Sequence, residues 1–165
     1  MIEIVSIKEH KRVKAKLMKQ IAAMPEEKLS TVSKTDWHLP PTTKRTYQNT
    51  FLKLILPYMD NFAKKYHCKE WEMHNFWFHQ YDKYSGFDWH VHGGCNFSNV
   101  YFLNLPNKKT HTEILDINSK LIKLKINEGD LLTFPGYLRH RSPAIKKLSK
   151  TIIAFNTSIN NVNKI

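Results

Sequence analysis

Glycine and proline are scarce: the 165 residues hold 5 of the first and 7 of the second. So few breakers leave no room for a Gly- or Pro-rich linker, and no low-complexity segment interrupts the chain. Cysteine occurs only at Cys68 and Cys95. Two thiols make no disulfide framework, so a reducing, cytoplasmic setting is expected. No apolar run approaches the ~20 residues that a membrane span requires. The opening stretch MIEIVSIKEHKRVKAK lacks the apolar core of a secretory signal. Acidic residues are few, 14 against 26 Lys and Arg, for a formal charge of +12. Arginine is rarer still, confined to Arg12, Arg45, Arg139 and Arg141. Scattered Lys therefore carries the charge, alongside abundant Ile and Asn, the residues of AT-rich codons. A clustered basic stripe, the footprint of a nucleic-acid binder, is missing, and nucleic acid is not an expected partner.

What is present reads as one globular domain over residues 1–165, at 41% hydrophobic and 12% aromatic. The first part, about 1–66, is expected to be helical. Ser6 and Glu9 have the spacing of a capping box, and Val13, Leu17, Met18 and Ile21 form a helical stripe to Pro25. Residues 30–43 are polar and Pro-rich and read as loop. A second helix spans about 44–66, with Phe51, Leu54, Ile55, Met59 and Phe62 on one face and Pro57 as a possible kink. From about 70 to 158 the texture becomes β. Strands are expected at 71–81, 98–105, 112–117, 120–126, 131–135 and 150–158, with turns at Gly129-Asp130 and Pro135-Gly136. The whole predicts a mainly β jelly-roll barrel with two N-terminal helices packed outside.

The most informative segment runs from Gly86 through His90 and His92 to Cys95. Residues i and i+2 of a strand share a face, so two imidazoles can converge on one ion. Gly93 and Gly94 then let the chain turn away sharply. A third histidine, His140, ends a strand-and-turn segment that starts at Gly129. Three neutral nitrogens on one side of a metal leave the opposite positions open, as catalysis needs. Histidine is common here, with 9 in the chain, and His-x-His alone is a weak signal. A structural zinc site of His90, His92, Cys95 and His140 is the alternative on residue type, although the chain has no Cys-x2-Cys.

Residues 76–156 resemble the iron(II)- and 2-oxoglutarate-dependent oxygenases, in particular small prolyl-hydroxylase-like proteins of phages and marine bacteria. The order is an aromatic strand at Phe76–Tyr81, Gly86, His90-x-His92, the strand Ser98–Leu103, then Gly129-Asp130, Phe134-Pro135, His140 and Pro143, and last Lys150–Asn156. Ser33–Trp37 resembles the same group more loosely. The resemblance implies a double-stranded β-helix with iron(II), 2-oxoglutarate and dioxygen as cofactors, in the host cytoplasm if phage-encoded. It implies His90, His92 and His140 as metal ligands. The wider family has a carboxylate second ligand; this chain has His92 there, and Asp88 is the nearest carboxylate alternative. Lys150, ten residues past His140, stands where the family places a cation for the far carboxylate of 2-oxoglutarate. Tyr101 and Thr151 are further cofactor-binding candidates. Trp89, Arg139 and Arg141, with Trp77, could line the substrate mouth. The substrate implied is peptidyl, with proline first, or a small molecule. Two rivals remain. One is a cupin-like three-histidine dioxygenase without 2-oxoglutarate, whose usual Glu is absent from 93–100. The other is a non-enzymatic basic jelly-roll binding module.

Overall fold

The computed structural model describes residues 1–25, 32–146 and 148–160 in full and 27–29 as backbone. The chain opens with β1 (Glu3–Ser6) and then α1 (His10–Ala22). Two short strands follow, β2 (Glu27–Leu29) and β3 (Val32–Thr35). Next come α2 (Gln48–Lys65), the long β4 (Glu70–Tyr81), β5 (Phe87–His90) and β6 (Phe97–Asn104). The order closes with β7 (Glu113–Ile114), β8 (Asp130–Pro135), β9 (His140–Ser142) and β10 (Lys150–Asn160). Seven strands form one sheet in the order β1-β8-β6-β10-β4-β3-β2, and three form a second in the order β5-β9-β7. Every strand pairing is antiparallel. The architecture is thus mostly β with two helices, consistent with a jelly-roll-like fold. Among the described residues no helix is long and apolar enough to cross a membrane.

The large sheet is buried on both faces. Toward the helices it presents Phe78, Tyr101, Leu103, Leu131, Ile153 and Phe155, which pack with Leu17 and Ile21 of α1 and Phe51, Ile55 and Met59 of α2. Its other face presents Trp77, Tyr81, Val100, Phe102, Leu132, Phe134 and Ile152. The period of two sends alternate side chains to opposite faces, and both sets are covered. That is why β6 and β10 read as continuous apolar runs.

Three expectations change. The capping box does not form: Ser6 ends β1 and its Oγ donates to Asp130 Oδ1 at 2.6 Å, while α1 has no side-chain cap. Glu9 instead accepts from the Tyr58 hydroxyl at 2.7 Å and ties α1 to α2. Pro57 lies inside α2 without ending it. The expected loop contains β3, whose Thr35 donates to Phe78 O at 2.8 Å; residues 30 and 31 of that stretch lie outside the described residues. At 120–126 no strand forms: only Leu121 pairs, as an isolated bridge to Leu115. The apolar alternation there is used for packing, with Ile126 buried and Ile122 and Leu124 half-buried against the sheet.

Asp36, next to β3, holds the helical part to the large sheet. Its carboxylate is fully buried and accepts from Arg45 Nε at 3.0 Å, the Tyr47 hydroxyl at 2.8 Å and the Phe78 backbone N–H at 2.9 Å. Burial pushes its pKa up, and these donors work against that rise.

Candidate metal centre

His90 and His140 face each other across the β5–β9 pair, as direct register partners. β5 stops at His90, so His92 lies just beyond the strand. Its backbone N–H donates to Gly136 O at 3.0 Å, which draws the segment back over the turn after β8. A side chain at 136 would crowd this contact: an added Cβ would come within 2.8 Å of Cys95 Sγ and 3.2 Å of His92 O, so both neighbours would have to shift. The turn away from the site uses Gly94 at φ +74°.

The three rings converge. Each offers a nitrogen within 4.8 Å of the others, and their centroids lie 4.2 to 5.1 Å apart. The ring nitrogens facing away are engaged: His90 Nδ1 donates to Asp88 O at 2.7 Å and His140 Nδ1 to Leu138 O at 2.9 Å. An N–H committed to a carbonyl leaves Nε2 with its lone pair aimed at the common point, the tautomer a metal needs. Burial lowers all three pKa values, His92 to about 4 and His140 to about 3. The rings are therefore neutral donors at physiological pH. This chemistry fits a divalent transition metal held on one face. Asp88 is not in the group; it is exposed and its Oδ1 accepts from the Trp89 N–H at 2.7 Å. Cys95 does not join either, so among the described residues the zinc set with a thiolate is not assembled.

The histidines open into a pocket between the two sheets, with Trp77, His79 and Tyr81 of β4 and Ile152 of β10 on its wall. Lys150 is the register partner of Tyr81. Only 1% exposed, it is unlike the surface lysines of this chain. Its Nζ lies 4.6 Å from the Tyr81 ring centre and donates to Thr110 O at 2.7 Å and to Ser142 Oγ. Burial lowers its pKa to about 7, against some support from Glu113. Tyr81 and Ser142 both line the pocket, so the Lys150 amine sits directly behind that part of its wall.

Two cofactor candidates stand elsewhere. Tyr101 and Thr151 lie on the opposite parity of β6 and β10. The Tyr101 hydroxyl bonds His10 Nδ1 at 2.7 Å under α1, and Thr151 Oγ1 accepts from Gln80 Nε2 at 3.3 Å. Tyr101→Phe is therefore expected to cost about 1 kcal/mol of stability, the usual worth of one buried hydrogen bond, and to leave ligand binding at the pocket unchanged. Urea melts beside a ligand titration check this; a loss of binding with unaltered stability would put Tyr101 back at the pocket. Of the mouth candidates, Arg141 lines the pocket, stacks over Trp89 at 4.6 Å and donates to Glu113 at 2.7 Å. Arg139 is exposed and does not line the pocket. The sequence reading missed Tyr81, Ser142 and His79 as lining residues. It also missed Trp37, half-buried with its ring 4.0 Å from that of Trp77 and 6.4 Å from His92. The signal for Tyr81 was present in the same-face spacing from Trp77.

No protein-family model and no curated protein sequence matches the chain. Solved structures do. A 2OG-Fe(II) oxygenase family oxidoreductase from Burkholderia pseudomallei superposes with a TM-score of 0.76 at 13% identity, over 95% of this chain and 84% of that one. A viral collagen prolyl hydroxylase from Paramecium Bursaria Chlorella virus-1, in its 2OG complex, gives 0.66 at 13% identity, over 96% of each chain. A Trichoplax adhaerens prolyl hydroxylase, held with a hypoxia inducible factor peptide, gives 0.67 at 10% identity, over 94% and 82%. At such low identity the likeness establishes the fold: the two-sheet, two-helix frame of this chain is one shared with 2OG-Fe(II) oxygenases and prolyl hydroxylases.

Proposed function

We propose that the chain is an iron(II)- and 2-oxoglutarate-dependent oxygenase of the small prolyl-hydroxylase-like group, acting as one domain and hydroxylating a peptidyl substrate, with proline as the first residue to test. One observation carries the reading: three neutral imidazoles converge in a pocket, and a buried lysine stands directly behind the Tyr81 and Ser142 that line it. His90, His92 and His140 would hold the metal. Lys150, with the Ser142 hydroxyl and Tyr81 beside it, would receive the far carboxylate of the cosubstrate, since a buried cation is stabilised by an opposite charge. Bound iron would supply the dioxygen chemistry, in which 2-oxoglutarate and O2 yield succinate and CO2 while a substrate C–H becomes C–OH. The protein's part is to orient the two reactants and exclude water, for which Trp77, Phe87 and Phe134 form apolar walls near the rings. The peptidyl choice is supported by the prolyl hydroxylases among the similar structures and by the half-exposed Trp89–Arg141 stack, whose Arg141 lines the pocket.

The all-histidine donor set favours one rival, a three-histidine dioxygenase that uses no 2-oxoglutarate. Purified protein loaded anaerobically with iron(II) is expected to convert 2-oxoglutarate slowly to succinate in air without any other substrate, and the metal-free protein none. Metal-loaded protein that neither turns over nor binds 2-oxoglutarate would overturn the assignment in favour of that rival.

A further inference from the structure

The wall between the triad and Lys150 carries a histidine that metal binding leaves unused. On β4, Trp77, His79 and Tyr81 line the pocket in succession. Same-face neighbours on a strand are ~6.6–6.8 Å apart. His79 is one such step from Trp77, whose ring lies 5.7 Å from that of His92. It is one step from Tyr81, which carries Lys150 on its ring face. His79 therefore stands midway between the metal ligands and the ammonium. It is 7% exposed, and Phe87 stacks on it at 5.7 Å and 21°.

Its proton can be placed. The indole N–H of Trp77 is a donor only, and it donates to His79 Nε2 at 2.9 Å. Nε2 must then present a lone pair, so the neutral ring carries its hydrogen on Nδ1. Burial, helped by the Lys150 amine nearby, lowers its pKa to about 3 and keeps the ring neutral. Yet Nδ1 is buried with no hydrogen-bond partner among the described residues. Buried side-chain donors are rarely left so, and one on a pocket wall points to an acceptor on the ligand. The acceptor has to be an oxygen with lone pairs to spare.

Resting on the 2-oxoglutarate reading above, we propose that the Nδ1–H of His79 donates to a carboxylate oxygen of the cosubstrate. The carboxylate at the metal end is then held by an uncharged donor, and the one at the far end by Lys150. An uncharged group suits this position because a third cation between the metal and the ammonium would repel both. Trp77 is a positioning residue: it acts on the cosubstrate only by fixing the tautomer of His79.

The test uses full-length protein loaded with zinc as a redox-inert surrogate, titrated with 2-oxoglutarate by calorimetry. His79→Phe is expected to weaken 2-oxoglutarate about 10- to 100-fold, the range for one hydrogen bond to a charged group, with zinc affinity unchanged. His79→Asn, whose amide can reach near the Nδ1 position, is expected to recover part of the loss. Nitrogen-15 spectra of histidine-labelled wild type should show the His79 proton on Nδ1, and this resonance should move when 2-oxoglutarate is added. Equal affinity in wild type and His79→Phe overturns the inference, as does a wild-type His79 proton found on Nε2, which stands even if the variant fails to fold. Wild type that loads zinc but binds no 2-oxoglutarate instead overturns the cosubstrate reading on which the inference rests.

Discussion

Replacing His140 with Ala is expected to abolish tight metal binding and, with it, succinate formation. His140 is the most buried of the three histidines, at 4% exposed, and its Nδ1 is pinned to Leu138 O. The ring is held before any metal arrives, so the lost group is a preorganised ligand. Disturbing only a partner behind a ligand commonly costs ~10–100-fold in metal affinity. Removing the ligand itself should cost more than that. The fold should survive, because the core on either side of the sheet is built from Phe134, Leu132 and Ile152 and from the helix-facing set. Cobalt(II) titration followed by visible absorption checks this, with circular dichroism as the control for folding. Unchanged cobalt affinity in His140→Ala would remove the residue from the centre.

Lys150→Ala should leave metal binding nearly intact and weaken 2-oxoglutarate by roughly 2–4 kcal/mol, the scale for losing one partner of a buried charged hydrogen bond. Lys150→Arg should restore part of this at best, since the guanidinium fork needs room that Thr110, Ser142 and Tyr81 occupy. The pH dependence adds a second readout. Burial lowers the Lys150 pKa to about 7, so without ligand the ammonium is present below pH 7 and lost above it. A carboxylate binds the ammonium form. The 2-oxoglutarate affinity should therefore be flat just below pH 7 and fall by up to about tenfold per pH unit above it, a fall that Lys150→Ala abolishes. Stability moves the other way. The unfolded lysine titrates near 10.5, so between pH 7 and 10.5 the unfolded chain binds the extra proton. Stability of the ligand-free protein should thus rise with pH across that window, by up to about 1.4 kcal/mol per unit from this group. Equal affinity for 2-oxoglutarate in wild type and Lys150→Ala at every pH would exclude Lys150 from the pocket.

The histidine centre was legible because its signal is local: the His90-x-His92 spacing, the glycines after it and the turn before His140 lie in short stretches of sequence. Only its distance from His140 singled out Lys150 among the lysines; its burial had no local signal. That Tyr101 and Thr151 lie on the face of the sheet away from the pocket could not be read from the sequence, for a physical reason. Alternation of apolar and polar residues tells which face a strand buries, and β6 and β10 are buried on both, so the pattern carries no phase. His79 carries no local signal in the sequence, since its bond to Trp77 exists only in the folded chain. The Ser6–Glu9 spacing matched a helix cap, but pairing of β1 with β8 took Ser6 for a strand. The Leu121–Ile126 stretch alternates like a strand yet pairs only at Leu121, with Leu115, and periodicity alone cannot supply a longer partner.

The division of β10 makes its residue count matter as a matter of parity. Lys150, Ile152, Ala154 and Asn156 occupy even positions, and Thr151, Ile153 and Phe155 the odd ones. A single inserted or deleted residue in this stretch would put its two sides out of phase, so that either Lys150 turned into the helix-covered core or Phe155 turned toward the histidines. A two-residue change would only displace the Lys150 amine along the same face. The distance from Lys150 to the histidines can thus be altered in doublets without reversing either face. The one irregularity in the β10–β4 register, between Asn156 and Thr157, lies past the last pocket residue, where a change of phase does no harm.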